Sequence, residues 1–291
     1  MNNNWPYIMH RITQIARRIH DLLRLDCKRG DLSVTEHHIV MELFRLGMDC
    51  GYDELIEATC FKSTISRGVV NLEKKGFVIS YFEPEDANRK RAKIQPNGIS
   101  YAETNIKNAV ELEKNLYGNF SKKEVDQLHQ YLLRFYNNLR GIEKEDIPFS
   151  EWPVLGHYTM NILKYMEYSS PIFQNEGREA NQKHILLSLL HQEGECSYKK
   201  IERKFHIPQT VVVRQMKKLC DLGYAETYTL SDDHRKKAGK LTGKGVEEAK
   251  IILDVFVRSE DMGSKGFSME EKESFRILLY KVLVQLDSIL S

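Results

Sequence analysis

Hydrophobic residues recur at three- and four-residue steps along most of this chain, which is the spacing that collects them on one face of an α-helix. Residues 6–25 show the pattern first, with a stripe made of Ile8, Ile12, Ile15, Ile19 and Leu22. The other face of this predicted helix carries Arg11, Arg17, Arg18 and Arg24. Because charged residues opposite an apolar stripe usually face water, we expect these arginines to be solvated.

Three predicted helices begin with a serine that is followed three residues later by a glutamate. In such a capping box the serine hydroxyl accepts a backbone N–H, and the carboxylate accepts the N–H of the serine itself. The pattern occurs at Ser33–Glu36, Ser121–Glu124 and Ser268–Glu271. Further helices are predicted at 53–59, 96–118, 153–169, 181–191 and 242–259.

The stretch from Ser63 to Gly98 combines a short helix with two β-rich runs, Phe77–Phe82 and Arg91–Gln95. The inward positions of the helix are Ile65, Val69 and Leu72. Between the two β-rich runs lies a charged tip at residues 85–90. A helix followed by a hairpin with a basic tip is typical of a winged helix-turn-helix, in which the helix enters the major groove of DNA and the wing lies beside it.

This stretch recurs in the second half of the chain as Thr210–Gly245. Gly76 matches Gly223 and Gly98 matches Gly245, both at an offset of 147 residues (223 − 76 and 245 − 98). A repeat of this length indicates two structural units. We predict domains at residues 1–145 and 146–291, joined by a linker within 141–153 that is marked by glycine and prolines.

Composition narrows the class of partner and the compartment. A net charge of +2 over 291 residues is nearly balanced, so a nucleic-acid partner must be inferred from local basic clusters. No apolar run approaches the ~18 residues of a membrane helix, and residues 1–5 lack the shape of a signal peptide. Five cysteines without a CxxC pair fit a reducing compartment. We therefore expect a cytoplasmic protein without membrane association.

Both units resemble the multiple-antibiotic-resistance regulator (MarR) family of winged-helix transcription factors. The residues that carry the resemblance are Leu72–Phe77, Pro84–Asp86 and Ile94–Gly98 in the first unit, and Leu219–Tyr224, Asp232–Arg235 and Leu241–Gly245 in the second. The family's wing pattern is Asp-x-Arg, which Asp233 and Arg235 match. In the first wing Asn88 stands where the arginine is expected, and Arg89 follows one position later.

The resemblance also implies an assembly. Chains with two such units are similar to the two-domain Sar-type regulators, and family members usually dimerise through their first and last helices. The predicted fold class is therefore mainly α with small β-hairpin wings, in which two tandem winged helix-turn-helix domains are joined by long helices as an internal pseudo-dimer. A monomer that acts as a pseudo-dimer and a homodimer both remain open at this point.

The predicted function is sequence-specific binding of double-stranded DNA by a transcription regulator. Arginine can bridge the O6 and N7 atoms of guanine, glutamine can pair with adenine, and valine can contact a thymine methyl group. The basic wing residues suit contacts with phosphates or insertion into the minor groove. The candidate DNA-binding residues are Lys62, Ser63, Thr64, Ser66, Arg67, Arg89, Lys90 and Arg91 in the first unit, and Gln209, Thr210, Val211, Val213, Arg214, Arg235, Lys236 and Lys237 in the second.

Other functions are less favoured by the sequence. No nucleophile motif, phosphate-binding glycine loop or meaningful pair of acids indicates an enzyme, and we expect no cofactor or metal. A small-molecule effector is compatible with the aromatic residues Trp152, Tyr158, Tyr165 and Tyr168, although helical core is their default interpretation. The alternative to DNA binding is a winged-helix module that binds proteins through its helical faces and has lost its DNA-binding activity.

Overall fold

The computed structural model describes residues 6–29, 31–59, 65–142, 152–169, 180–192, 194–205, 207–230 and 233–290. The elements of the first half are α1 (Tyr7–Arg29), α2 (Val34–Arg45), β1 (Asp49–Gly51), α3 (Tyr52–Thr59), α4 (Ile65–Lys74), β2 (Val78–Glu83), β3 (Asp86–Ile94), α5 (Pro96–Leu116) and α6 (Lys122–Arg140). Those of the second half are α7 (Val154–Ser169), α8 (Ala180–His191), β4 (Glu195–Ser197), α9 (Tyr198–Phe205), α10 (Gln209–Asp221), β5 (Ala225–Leu230), β6 (Asp233–Leu241), α11 (Gly243–Gly263) and α12 (Met269–Leu290).

Each half contains a winged helix-turn-helix unit, so the predicted fold class is confirmed. In the first unit β3 lies between β1 and β2 in an antiparallel sheet, and in the second β6 lies between β4 and β5 in the same order. The helices predicted to be recognition helices are α4 and α10. The turn after each contains a glycine in the left-handed region, Gly76 or Gly223, and both have φ of +73°. Glycine is favoured there because a Cβ is disfavoured at positive φ.

The inward residues predicted for the two recognition helices are confirmed. Ile65, Val69 and Leu72 of α4 have no exposed surface, and the same holds for Val212, Met216 and Leu219 of α10. Full burial of one such side chain contributes about 1.5–3 kcal/mol to folding. The three predicted capping boxes also form, since Ser33, Ser121 and Ser268 exchange hydrogen bonds with Glu36, Glu124 and Glu271 respectively.

Two short strands, β1 and β4, were not predicted from the sequence. β1 and β4 each contain three residues, which is too short a run to show the alternation that identifies a strand. β3 is also longer than predicted, since it begins at Asp86, within the stretch predicted as the wing tip. β6 begins at the corresponding aspartate of the second unit, Asp233. The predicted linker lies mostly outside the described residues.

The two halves are joined by a helical body, which consists of α1, α5, α6, α7, α11 and α12. In this body each half supplies a carboxylate that caps a helix of the other half. Glu260 of α11 accepts hydrogen bonds from the backbone N–H groups of Ile8 and Met9, at 2.9 and 3.1 Å, where α1 begins. Glu113 of α5 accepts one from the N–H of Gly156 at 2.8 Å, where α7 begins. Glu113 and Glu260 lie 147 positions apart (260 − 113), so each half caps the first helix of the other in the same way.

The last helices of the two halves meet through a second reciprocal pair. Arg134 of α6 forms an ion pair with Glu271 at 2.8 Å, and Lys281 of α12 forms one with Glu124 at 2.9 Å. The same cations lie over equivalent rings, with Arg134 4.1 Å from the centroid of Phe267 and Lys281 4.4 Å from that of Phe120. The repeated sequence is therefore matched by an approximate internal twofold symmetry.

This packing overturns the expectation that the arginines of α1 are solvated. Arg18 is almost fully buried and forms an ion pair with Asp287 of α12 at 2.6 Å. Arg17 donates a hydrogen bond to Asn181 at 2.8 Å, and burial lowers the pKa of its guanidinium to about 10. Arg11 donates to the backbone carbonyl of Arg276. α1 packs between helices of the second half, so both of its faces have protein neighbours. The side chain of Arg24 lies outside the described part.

Within the described ranges, the buried hydrophobic residues form two clusters. The first winged unit has a core of its own, which includes Ile39, Leu55 and Ile94. The other cluster runs continuously from α1, α6 and α7 into the second winged unit and ends at Leu241 near its wing. The second unit is thus continuous with the helical body, whereas the first forms a separate cluster. No helix in the described ranges is both long and apolar enough to cross a membrane.

Gly98 and Gly245 occupy equivalent positions where α5 and α11 lie against the turn that leads into the first strand of the wing. A Cβ at Gly98 would collide with the carbonyl oxygen of Phe77, and one at Gly245 would collide with that of Tyr224. Alanine at either position must move backbone, so we expect Gly98→Ala and Gly245→Ala each to lower the free energy of unfolding by about 1–3 kcal/mol. Urea denaturation followed by circular dichroism measures this.

The control for both variants is Gly243→Ala, also near the start of α11. A Cβ at Gly243 would meet no atom within 4 Å, so this change should be neutral or slightly stabilising. Equal loss of stability in Gly243→Ala and Gly245→Ala would show that helix-start flexibility, and not the close backbone approach, is what matters.

Candidate nucleic-acid interface

The exposed face of α4 is the first part of the candidate interface. Ser66 and Arg67 are exposed near its N-terminus, while Ile65 and Val69 point into the core. Val70, which is 38% exposed, extends the same face by one helical turn. The other predicted residues of this helix start, Lys62, Ser63 and Thr64, lie outside the described residues.

Two contacts fix α4 against its neighbours. Glu73, near the end of α4, accepts hydrogen bonds from both the backbone N–H and the hydroxyl of Ser80 on β2, each at 2.6 Å. Gly68 lies so close to Ile39 of α2 that a Cβ would collide with the end of that isoleucine. A helix whose backbone approaches its neighbour this closely presents its outer side chains in a defined orientation.

The second recognition helix, α10, presents a different set of side chains. Gln209, Thr210 and Arg214 are exposed, and Val213 is 44% exposed. Val211 is half-buried and packs against the core, which separates it from the other predicted contacts. Gln209 is the first residue of the helix, where the free backbone N–H groups and the helix dipole favour a phosphate.

The first wing contains a network that ties its base together. The guanidinium of Arg91 contacts Asp49 of β1 at 3.0 Å and Glu83 of β2 at 3.2 Å. Tyr81 donates a hydrogen bond to the same aspartate at 2.7 Å. The hydrogen bonds with Asp49 and Tyr81 raise the pKa of Arg91, so it stays charged. This network places Arg91 apart from the other predicted contact residues, because its side chain links three strands.

The remaining basic residues of the first wing are near its surface. Arg89 is exposed, with Glu83 at 3.6 Å, and the ammonium of Lys90 lies 5.0 Å from the centroid of the Tyr52 ring. Sequence reasoning missed Asp49, Glu83 and Tyr52 as parts of the wing. Asp49 is in β1 and Tyr52 follows it directly, and the alternation of polar and apolar residues did not predict this strand. The pairing of β1 with β3 is what brings these two residues close to Arg91 and Lys90.

The second wing repeats part of this arrangement. Tyr228 of β5 donates a hydrogen bond to Glu195 of β4 at 3.1 Å, as Tyr81 does to Asp49. The residue equivalent to Arg91 is Ala238, which is buried, so the link that Arg91 makes has no counterpart at this position. Lys237 is exposed on β6, and Arg235 and Lys236 belong to the same strand but their side chains lie outside the described part.

In the described part of the chain, the cysteines and histidines point to no separate chemistry at this interface. Burial raises the pKa of Cys50 to about 11, so its thiol stays protonated at neutral pH. Within the described ranges, no group of three or more His, Cys, Asp or Glu residues is arranged to hold a metal ion. Among the aromatic candidates, Tyr158 is fully buried and Tyr165 packs against the core, whereas Trp152 lines a cavity. The side chain of Tyr168 lies outside the described part.

Comparison with known proteins gave matches among solved structures alone, since no family model and no curated protein matches this chain. AbsC, a MarR family transcriptional regulator from Streptomyces coelicolor, is 14% identical, with 50% of this chain and 99% of that chain covered and a TM-score of 0.42. A MarR/EmrR family transcriptional regulator from Acinetobacter sp. ADP1 is 29% identical, with 44% and 91% covered and a TM-score of 0.38.

A third match is a mutant of MarR from E. coli complexed with operator DNA, at 18% identity and a TM-score of 0.32, with 37% of this chain and 76% of that chain covered. The family to which the sequence motifs pointed is thus also the family of these structural neighbours. Because each TM-score is below 0.5, the functional inferences below depend on this chain's own residues.

The network at the base of the first wing generates a prediction. Arg91→Met removes the cation that joins β1 to β2, so amide hydrogen exchange in β2 and β3 should become faster while the helical body is unchanged. The matched control is Lys93→Met, because Lys93 is an exposed cation on the same strand. If the two variants exchange at the same rate, Arg91 does not hold the wing.

Proposed function

We propose that this chain is a transcription regulator that binds double-stranded DNA in a sequence-specific manner. In this proposal the chain consists of two winged-helix domains, residues 1–145 and 146–291, that act as an internal pseudo-dimer. α4 and α10 enter successive major grooves, and the two wings contact the adjoining backbone. The observation that carries the proposal is the repeated exposure of an arginine near the start of each recognition helix, Arg67 and Arg214, which lie 147 residues apart (214 − 67).

The surroundings of these arginines support direct reading of bases. Each recognition helix buries its apolar side in a hydrophobic core and leaves a polar face at its N-terminal end. Ser66 and Thr210 are exposed beside the arginines and provide hydroxyl groups for bases or phosphates. Lys62, Ser63 and Thr64 remain part of the proposed contact set by their position just before α4.

The wings have the role of backbone contacts in this proposal. Arg89, Lys90 and Lys237, with Arg235 and Lys236, lie along the hairpin strands that would approach phosphates. Arg91 is given a different role, because its guanidinium is engaged with Asp49 and Glu83 and holds the first wing in shape. Val213 is the proposed contact for a thymine methyl group, and Val211 supports the helix from its half-buried position.

Base reading by the two arginines can be tested separately from phosphate binding. We expect Arg67→Ala and Arg214→Ala each to weaken binding to the selected site by about 1–3 kcal/mol and to have much less effect on random DNA. The site is obtained first by selection from a random duplex pool, and affinities are then measured by fluorescence anisotropy at fixed salt. Equal losses on both DNAs would mean that the arginines contact phosphate only. The control is Lys217→Ala, another exposed cation of α10.

The internal pseudo-dimer leads to a second expectation for the same site. Since α4 and α10 carry different exposed residues, one chain should protect an asymmetric site whose half-sites are about 10 base pairs apart. The half-site read by α10 should be richer in A·T pairs, because Val213 suits a thymine methyl group. Light scattering of the complex and a hydroxyl-radical footprint measure this, and a perfect palindrome bound by two chains would contradict it.

A further inference from the structure

An exposed aromatic ring lies on the first wing, close to its tip. Phe82 is the last residue but one of β2, and its side chain is 59% exposed. Within the described ranges it belongs to neither hydrophobic cluster. A single exposed apolar side chain is common on protein surfaces and has no meaning by itself. The position of Phe82 is informative, because the ring lies beside the cations of the wing hairpin.

The strand register places Phe82 next to Lys90. The two residues pair across the hairpin, and the register shifts directly after them, between Phe82 and Glu83. An irregularity of this kind ends regular pairing and changes the direction of nearby side chains. The ammonium of Lys90 lies 5.0 Å from the centroid of the Tyr52 ring. Lys90 therefore reaches toward β1, which lies on the opposite side of β3 from β2 and Phe82.

Phe82 lies on the same face of the sheet as the recognition helix α4. Side chains along a strand alternate between its two faces, so Ser80 and Phe82 share a face. The hydroxyl of Ser80 donates a hydrogen bond to Glu73 of α4 at 2.6 Å, which shows that this face is the one against which α4 packs. A duplex that receives α4 in its major groove therefore approaches the wing from the side that carries Phe82.

Two acidic residues of this wing are already engaged. Glu83 forms ion pairs with Arg91 at 3.2 Å and with Arg89 at 3.6 Å. Asp86 accepts the backbone N–H of Asn88 at 2.9 Å. Both carboxylates are thus held by donors of the wing itself, which reduces the repulsion that free carboxylates would exert on a phosphate backbone.

The second wing has the same strand register without the aromatic ring. Thr229 is equivalent to Phe82, at an offset of 147 residues (229 − 82), and it is exposed. It pairs with Lys237 as Phe82 pairs with Lys90, and the register again shifts directly afterwards. The two hairpins therefore place a lysine at the same position and differ in the residue beside it.

We propose that Phe82 is a wedge that enters the minor groove beside one half-site, inserts between two base pairs and bends the DNA there. Proteins that bind the minor groove often insert an apolar side chain, which separates stacked bases and kinks the duplex. The flat ring replaces part of the lost stacking, while Arg89 and Lys90 contact the phosphates nearby. The bend is one-sided, because the second wing offers Thr229 at this position.

This inference rests on the proposed function and deepens it, since it adds a residue that reads the deformability of DNA rather than the edges of its bases. Insertion is easiest at pyrimidine–purine steps, because these steps are readily unstacked. We therefore expect a TA or CA/TG step in the flank of the half-site that α4 reads. The flank beside α10 should show no such preference.

The test measures base stacking directly. The probes are duplexes recovered from the random pool, in which one adenine at a time in either flank is replaced by 2-aminopurine. The fluorescence of 2-aminopurine rises when it loses its stacking partners. Binding of the full chain should raise this fluorescence in one flank and leave the other flank unchanged. Gel phasing of the same complexes should show a bend, for which inserted wedges give about 20–90°.

Three substitutions and a control separate insertion from simple contact. Phe82→Ala should remove both the fluorescence increase and the bend, and Phe82→Leu, which keeps an apolar wedge, should retain most of each. Thr229→Phe should create a second increase, in the opposite flank. The control is Ile79→Ala, since Ile79 is another exposed apolar residue of β2, at 46%, on the other face of the sheet. This variant should behave as wild type.

The salt dependence of binding distinguishes the ring from the cations beside it. Phe82→Ala should weaken binding to the selected site roughly fivefold or more without changing the slope of log affinity against log salt, because the ring has no charge. Lys90→Ala should reduce that slope by about one. Circular dichroism checks that each variant is folded, which is expected because Phe82 lies outside both cores.

The possible failures are distinguishable from one another. Complexes that form without a fluorescence increase, or an increase that survives Phe82→Ala, would overturn the wedge and leave DNA binding intact. Failure to bind any duplex would overturn the proposed function together with the wedge. If Phe82→Ala changes the mass of the free protein in light scattering and leaves the aminopurine signal unchanged, the ring is a contact between chains and the wedge is wrong.

Discussion

The exchange of carboxylates at the starts of α1 and α7 is the constraint on which this arrangement depends. The first turn of a helix has backbone N–H groups without partners inside the helix, and leaving one buried and unpaired costs about 1–3 kcal/mol. Here Glu260 serves α1 and Glu113 serves α7, so each helix is completed by a residue from the opposite half. This reciprocal capping connects the two halves, because α1 and α7 are each completed by a glutamate of the opposite half.

The two halves share one backbone arrangement but differ in how their side chains pack. The second winged unit shares one continuous core with the helical body, while the first has a core of its own. In the second half, the ring of Phe256 fills the space that the equivalent residue, Ala109, leaves open in the first. Arg276 neutralises Glu260, whereas the equivalent residue, Glu113, accepts hydrogen bonds from backbone N–H groups. Repetition has therefore preserved the backbone and the caps, and the differences are concentrated at the junction of the first unit.

The features that sequence reasoning predicted well are local ones. Capping boxes, the glycines of the recognition-helix turns and the inward positions of α4 and α10 depend on residues a few positions apart, so the sequence contains their full cause. The arginines of α1 were misjudged because their partners, such as Asp287, lie at the far end of the chain. Strand β1 and the role of Arg91 depend on pairing between segments about 40 residues apart, which periodicity does not reveal. The cavity that Trp152 lines depends on side-chain contacts between four helices that are distant in sequence, and periodicity does not predict such contacts.

The long sequence separation of the contacts made by α1 also affects the order in which the chain folds. Glu260 reaches the start of α1 across 252 residues of sequence, while Arg18 pairs with a residue 269 positions later. Contacts of such long range form late, because the entropy of closing the loop must be overcome before they stabilise the chain. During synthesis α1 therefore emerges long before α7, α11 and α12, the second-half helices against which it packs. The first winged unit, which has a separate core, is the part that can fold in the meantime.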